Sequence, residues 1–227
     1  MKEKVKGLLK KSTLLEVKEP ESQCINGPIE SYFGGVPYMG ESFEWPYSED
    51  GDPLVFVLQV VKTEENVLPK GAELIQFFLN TKSISSMRNS VCIYLSTDIS
   101  KSEWYYQEVP KEVKIHPFCP IQSHPILSLP DWETIHRYYE AQYDETLELD
   151  KEEYDSICRD LGVTTKMASQ LGGYPQWLQG DEAPENTDLL LQIDSEEYPE
   201  FHWVDMGLIY LFLDHDQEHI HSRLQFM

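Results

Sequence analysis

The sequence predicts an α+β protein that consists predominantly of antiparallel β-strands. Two related, β-rich halves are expected, with a helical insertion between them. Three observations predict this fold: a Gly-Gly-x-Pro segment that occurs twice, strand-length apolar runs that follow each copy, and capped helical segments between the copies. We expect a single domain over residues 1–227, with halves at about 31–115 and 169–226 and the helical connection at about 130–162.

The repeat rests on three landmarks. The segment 31–37 (SYFGGVP) returns at 169–175 (SQLGGYP), an offset of 138 residues. The pair Leu58-Gln59 returns as Leu191-Gln192, and the run 74–79 returns at 208–213, with offsets of 133 and 134. The change in offset falls in the polar turn at 47–52, where insertions are well tolerated. Landmarks in one order at nearly one spacing predict an internal duplication.

Continuous apolar runs mark the strands. Val55–Val61 is rich in β-branched and aromatic residues and bounded by turn signals, which is typical of a strand covered on both faces. Residues 189–193 form its shorter counterpart, and 74–79 and 208–213 predict two further buried strands. The remaining strands are expected at Val91–Leu95, Trp104–Val109 and Lys111–Ile115, with a closing edge strand at Ile220–Phe226.

Capping residues place the helices. Asp131 is expected to cap a helix through Trp132, Ile135, Tyr138 and Tyr139, which share one face. Asp150 and Glu153 form a capping box for a second helix that ends at Gly162. The spacing of Val5, Leu8 and Leu9 predicts a short N-terminal helix. The segments 16–26 and 110–130 are expected to be loops or sheet edges.

Composition and charge limit the function. The chain has 40 acidic and 18 basic residues and a formal charge of −22, so it repels polyanions and lacks the basic stripe that nucleic-acid binding requires. The acidity indicates either solubility or a basic protein partner. No apolar run is long enough to span a membrane. Four widely spaced cysteines without a Cys-x-x-Cys pair predict reduced thiols and a cytoplasmic location; they are Cys24, Cys92, Cys119 and Cys158.

Several motifs together resemble the YwqG-like family, a bacterial domain of unknown function. In the first half these are Gly34-Gly35-x-Pro37, Phe43-Glu44-Trp45-Pro46 and Gly51-x-Pro53-Leu54. In the second half they are Gly172-Gly173-Tyr174-Pro175-x-Trp177, Gln179–Glu182, Leu190–Asp194 and Gly207-x-Ile209-Tyr210-x-Phe212. The resemblance implies a duplicated β-rich fold and brings no established chemistry. The sequence departs from the family pattern at Asp205-Met206-Gly207 and in its His- and Asp-rich tail.

Five residues are candidate ligand contacts: Trp45, Gln59, Tyr174, Trp177 and Gln192. The two glutamines occupy equivalent places inside apolar strands, where a buried amide needs partners. They either hold a neighbouring loop or bind a polar ligand at the junction of the halves. The aromatic residues either line a groove for a peptide or a sugar, or fill the core.

No catalytic residue, cofactor or metal site is predicted. The nearest metal candidates are His215, His219 and His221, whose spacing matches no recognised metal motif. Cys119 with His116 and His124 offers a thiol and a base, but the prolines around them indicate an ordinary connection.

The acidic stretch 140–155 is either a solvated helical face or a docking surface for a cationic partner. We therefore expect a non-enzymatic protein-interaction module with an acidic surface. The alternative is a small-ligand-binding protein or enzyme with a pocket between the halves. Enzymatic activity and oligomeric state stay open.

Overall fold

A computed structural model describes residues 2–21, 29–40, 43–66, 68–84, 91–95 (backbone only), 108–164, 167–198, 204–216 and 219–227. Within these ranges the helices are α1 (Lys2–Lys6), α2 (Ile135–Tyr143) and α3 (Lys151–Leu161). The strands are β1 (Lys10–Val17), β2 (Tyr32–Phe33), β3 (Val55–Val61), β4 (Leu74–Leu79), β5 (Val91–Leu95), β6 (Cys119–Ser128), β7 (Gln170–Gly172), β8 (Thr187–Asp194), β9 (Leu208–Asp214) and β10 (Ile220–Gln225).

The strands form one curled antiparallel sheet in the order β10-β9-β8-β7-β1-β6-β2-β3-β4-β5. The pair β1–β6 lies at the centre, in a register that runs from Lys10 opposite Ser128 to Val17 opposite Ile121. We call this pair the central seam, β2–β5 the N-terminal arm and β7–β10 the C-terminal arm. The sheet confirms the prediction of a β-rich, antiparallel fold. It also confirms β5 as a strand and β10 as an edge strand.

The central seam corrects the prediction for two segments. Residues 110–130 were expected to form loops or edges because of their prolines, yet they contain β6, and the predicted loop 16–26 includes the end of β1. Ile121 donates its N–H to Ser31 on the β2 side. Every second residue of a strand points its N–H group to the same side, so an N–H at residue 125 would also point to the β2 side. Pro125 has no such N–H. The register of β2 reaches only Cys119 and Pro120, so β2 requires no hydrogen bond at Pro125.

Two further strand predictions have different outcomes. Lys111–Ile115 was expected to be a strand, and this was wrong: the N–H of Val113 donates to the carbonyl of Pro110 at 2.9 Å, which forms a turn. Pro110 and Pro117 bracket this segment and favour turns over a ladder. Most of Trp104–Val109 lies outside the described residues.

Both faces of the arms are covered. Along β9, Ile209, Leu211 and Leu213 join a core cluster that contains residues of both arms. The alternate residues Leu208, Tyr210 and Phe212 pack with Trp177 on the other face, as period-two alternation requires. In the shared cluster the rings of Phe33 and Tyr198 stack at 3.7 Å. The prediction that these strands are covered on both faces is confirmed.

The helices pack together in a separate cluster of buried side chains. The cluster contains Val5, Leu8, Tyr139, Tyr154 and Ile157. Helix α3 agrees with its predicted caps, because the Asp150 carboxylate accepts the N–H of Glu153 and Gly162 ends the helix in the left-handed conformation. Helix α2 begins later than expected, at Ile135, since the carboxylate of Asp131 instead accepts the N–H of Thr134 at 2.9 Å in a preceding turn. None of the helices described is long and apolar enough to cross a membrane.

The repeated glycines are required at two close approaches of the backbone. Gly34 has a φ of +67°, and a Cβ there would lie 2.0 Å from the carbonyl oxygen of Pro117. Gly173 has a φ of +76°, and a Cβ there would lie 2.7 Å from that of Ser128 and 2.8 Å from that of Ser12. Both backbone conformations favour glycine. The turns therefore hold each arm against the central seam.

Candidate ligand-binding cleft

A cleft of about 630 Å³ lies between the connection that joins β3 to β4 and the C-terminal arm. The β3–β4 connection contributes Leu68, Pro69 and Lys70, and β1 contributes Lys10 and Lys11. The opposite wall comes from the end of β7, from β8 and from the end of β9. Its residues are Gly172, Gly173, Asp188, Leu189, Leu190, Leu213, Asp214 and His215.

Charged side chains dominate the rim of the cleft. Three lysines and two aspartates line it, which leaves one net positive charge when His215 is neutral. The Nζ of Lys10 lies 2.7 Å from Oδ1 of Asp188, and the Nε2 of His215 lies 3.5 Å from Oδ2 of the same carboxylate. The Oδ1 of Asp214 lies 2.8 Å from Nε2 of His221. Both aspartates of the cleft therefore have a basic partner inside the protein.

Lys11 and Lys70 differ from Lys10 because they are exposed and, among the described residues, form no ion pair. An unpaired ammonium group keeps its hydrogen-bond donors available to a ligand. These two side chains are the positive charges of the cleft that the protein does not neutralise within the described part of the chain.

The wall beneath the charged rim is apolar. Leu189, Leu190 and Leu213 are buried side chains of β8 and β9. Leu68, from the β3–β4 connection, packs against the core cluster that contains Leu190 and Leu213. A cleft with apolar walls and a few charged groups has the composition of a small-molecule site.

Tyr174 links the cleft to the helices. The Nζ of Lys10 lies 4.5 Å from the centre of the Tyr174 ring, a cation–π distance. Burial raises the pKa of Tyr174 above its ordinary value, so the phenol stays neutral at physiological pH. The ring contacts Tyr138 of α2 at 4.9 Å. Together with Asp188, these rings fix the position of Lys10.

Asp188, Asp214 and His215 of the C-terminal arm have no charged counterparts at the matching positions of the N-terminal arm. The bulge in β3 lies between Phe56 and Leu58, and the bulge in β8 lies between Leu189 and Leu191. The residue just before the bulge is Val55 in β3 and Asp188 in β8. The ends of β4 and β9 can be compared in the same way. Asn80 and Thr81 follow β4, and the matching residues at the end of β9 are Asp214, its last residue, and His215. The sheet scaffold alone thus does not require these charges.

The predicted glutamines hold loops within the protein. Oε1 of Gln59 accepts the N–H of Tyr38 at 2.9 Å, and its Nε2 donates to Glu30 O at 2.8 Å. Oε1 of Gln192 accepts the N–H of Gln176 at 2.9 Å, and its Nε2 donates to Ala168 O at 2.9 Å. Both side chains are fully buried. Each one fastens the segment on either side of its own Gly-Gly turn, which is the loop-holding interpretation.

The predicted aromatic residues are mainly packing residues in this structure. The indole N–H of Trp45 donates to Leu54 O at 3.0 Å, and Trp177 packs against Tyr210 with ring centres 4.7 Å apart. Neither tryptophan lines the cleft described above, and neither glutamine does. Tyr174 contacts the cleft residue Lys10, and Trp177 shares a buried cluster with Leu189, which also lines the cleft.

The metal candidates and the thiol occupy separate surroundings. Within the described residues no group of three His, Cys, Asp or Glu side chains is placed to hold a metal ion. His215 faces Asp188 and His221 faces Asp214, whereas His219 is exposed. Burial raises the pKa of Cys119 to about 11, so the thiol is neutral at physiological pH. His124 pairs with Glu16 at 2.7 Å.

A second cavity, of about 340 Å³, lies beside β1. It is lined by Leu14, Leu15, Glu16, Val17, Thr164, Ala168 and Glu197. Among the described residues, its lining contains two carboxylates and no basic side chain, whereas the larger cleft offers a ligand charges of both signs.

The lysines and aspartates of the cleft were not among the predicted site residues. They come from four separate parts of the chain, and only the fold brings them together. One signal was present: Lys10 and Lys11 end the richest basic stretch of an otherwise acidic chain.

The fold and the cleft define an antiparallel β-sheet protein with a charged, concave site beside its central seam. The chain belongs to the family described as a domain of unknown function (DUF1963), which matches residues 31–219. The match includes every cleft residue except Lys10 and Lys11. No curated protein matches the chain.

Proposed function

We propose that this protein binds a small ligand, without catalysing a reaction, in the cleft between the β3–β4 connection and the C-terminal arm. One observation carries the proposal: residues from both parts of the chain converge on a concave site with an apolar wall and a charged rim. This site corresponds to the alternative function that the sequence predicts, a pocket between two halves, although its residues differ from those expected.

The proposal includes the finer assignment of the chain as an internally duplicated, cytoplasmic, YwqG-like protein. The matching hydrogen bonds of Gln59 and Gln192 support the duplication, because their partners Glu30 and Ala168 are 138 residues apart. The hydroxyls of Ser31 and Ser169, also 138 residues apart, accept the N–H groups of Val61 and Asp194 at 3.0 Å each. The helical connection of α2 and α3 lies between the arms in sequence.

Native mass spectrometry of untagged protein purified from its own cells tests ligand binding. We expect a stoichiometric small-molecule mass that is released by heat. His215→Trp adds a large ring at the rim, and the bound fraction should fall. His219→Trp is the matched control, because His219 is exposed and does not line the cleft. A protein that carries no small molecule, or equal loading of both variants, would refute the cleft as the site.

A second candidate function is docking of a basic protein on the helical connection. The buried faces of α2 and α3 are fixed in one cluster, while their outer surface carries exposed carboxylates. Among the described residues, Lys4 pairs with Glu145 and Lys151 pairs with Asp155. Five exposed carboxylates there form no ion pair within the part of the chain that the structure describes: Glu140, Asp144, Glu148, Glu152 and Glu153. A single-sign surface of this kind favours a cationic partner.

Binding of a decalysine peptide at low salt tests the docking surface. Three Glu→Gln substitutions at residues 140, 148 and 152 should remove most of the binding, and added salt should weaken it for the native chain. The matched control carries three Glu→Gln substitutions at residues 44, 49 and 64, which are exposed and lie outside the helices. Equal losses in both triple variants would show that only the net charge of the protein matters.

A further inference from the structure

We infer that the ligand of the cleft is a small organic oxyanion, a phosphate ester or a polycarboxylate, with a short aliphatic segment. This inference rests on the proposed ligand-binding function and specifies its ligand class. The residues that select the oxyanion are Lys11 and Lys70, and the residues that select the aliphatic segment are the leucines of the wall.

The charged groups of the cleft are not all paired with one another. Asp188 is shared between Lys10 and His215, and Asp214 is paired with His221. Among the described residues, neither aspartate forms an ion pair with Lys11 or Lys70, which are both exposed. A ligand with negatively charged oxygen atoms can accept charge-assisted hydrogen bonds from the ammonium groups of these two lysines.

The charge of this cleft contrasts with that of the rest of the molecule. The protein carries a net charge of −22, yet the cleft has more lysines than aspartates. At physiological ionic strength the Debye length is about 8 Å, so distant carboxylates repel a bound anion only weakly. Lysines in contact with the anion act over a few ångströms and decide its affinity.

The size of the cleft and the apolar character of its wall favour a ligand with a carbon chain. About 630 Å³ accommodates a small metabolite. Four leucines line the cleft beside its charged rim, namely Leu68, Leu189, Leu190 and Leu213. An inorganic anion would leave their surface uncovered, whereas a short carbon chain next to the anionic group would cover it.

The two exposed lysines of the cleft lie on different elements of the fold. Lys11 belongs to β1 in the central seam, and Lys70 belongs to the β3–β4 connection. An anion that contacts both links the seam to the N-terminal arm. We therefore expect the oxyanion to stabilise the folded protein as well as to bind it.

The experiment is an NMR titration of the full-length ¹⁵N-labelled protein. The probes are butyl phosphate, glutarate and inorganic phosphate, and 1-butanol serves as the neutral control. Butyl phosphate or glutarate should shift the amide signals of Gly172 and Gly173, and inorganic phosphate should bind more weakly than butyl phosphate. Which of the two organic probes binds more tightly distinguishes a phosphate ligand from a carboxylate ligand.

A pair of matched variants assigns the site. The change Lys11→Gln with Lys70→Gln should weaken the binding of the better probe by about tenfold or more. The change Lys111→Gln with Lys114→Gln removes the same charge from exposed lysines outside the cleft and should alter the Kd by less than about twofold. Equal weakening in both variants would overturn the role of Lys11 and Lys70.

The outcomes separate the ligand class from the site. If 1-butanol shifts the glycine signals and no oxyanion does, the oxyanion class is refuted, and binding in the cleft still holds. If no probe shifts them, and the protein from its own cells also carries no small molecule, the proposed function fails together with the ligand class.

Discussion

Replacing Gln192 with leucine tests the idea that buried glutamines fasten the Gly-Gly turns. Gln192 lies in β8 and is fully buried. Its side chain satisfies two backbone groups, the N–H of Gln176 and the carbonyl of Ala168, each at 2.9 Å. Leucine has a similar size, so it removes both hydrogen bonds without opening a large cavity.

The expected loss follows from the two backbone groups left without a partner. Each unsatisfied buried group costs about 1–3 kcal/mol, and the more apolar side chain returns part of this cost. We expect Gln192→Leu to lower the free energy of unfolding by about 2–5 kcal/mol. Gln59→Leu should also be destabilising, because it removes the hydrogen-bond partner of the buried N–H of Tyr38 and of the partly buried carbonyl of Glu30.

Urea unfolding followed by tryptophan fluorescence measures the change, provided that the transition is two-state. Gln142→Leu is the control: Gln142 is exposed on α2 and donates to Gly7 at 3.2 Å, so its loss should stay within about 0.5 kcal/mol. If Gln192→Leu lost less than about 1 kcal/mol at an unchanged m-value, the two backbone groups would not depend on this amide, and the reasoning would be wrong.

Three further predictions concern other parts of the molecule. Gly173→Ala should lower the free energy of unfolding by more than Gly71→Ala in urea unfolding, because a Cβ at residue 173 meets two serine side chains within 2.8 Å, whereas Gly71 has open space and a similar positive φ. Asp150→Ala should cost about 1 kcal/mol and lower the helical signal in circular dichroism, since it removes the cap of α3. The raised pKa of the Cys119 thiol means that the contribution of this neutral thiol to the stability of the folded protein is complete below pH 9 and is lost as the pH rises toward about 11. Ellman's reagent at pH 8 should label this thiol only after unfolding. Rapid labelling of the native protein would contradict its burial.

The sequence predicted the arms better than the centre of the sheet. Continuous apolar runs such as Val55–Val61 identify β3, β4, β8 and β9 because these strands are buried on both faces. The capping residues Asp150 and Gly162 identify α3, because both lie next to the ends of the helix in the sequence. These elements carry their signal within a few adjacent residues.

The central seam gave no such signal. Strand β1 has the sequence KKSTLLEV, and β6 contains two prolines. Their strand conformation depends on each other, in a register that joins residues more than a hundred positions apart. The cleft was unpredictable for a related reason: Lys11 and Lys70 are ordinary exposed lysines until the fold places both in one cleft with Asp188 and Asp214.

The central seam also has a consequence for the order of folding. Each arm pairs its strands with near neighbours in the chain, whereas closing β1 on β6 requires Lys10 to meet Ser128. The entropy lost when a loop closes grows with its length, and contacts between distant residues slow folding. The arms are therefore expected to form first and the seam last. A nascent chain already contains β1 before β6 is synthesised, so this N-terminal strand must wait, unpaired, until its partner has left the ribosome.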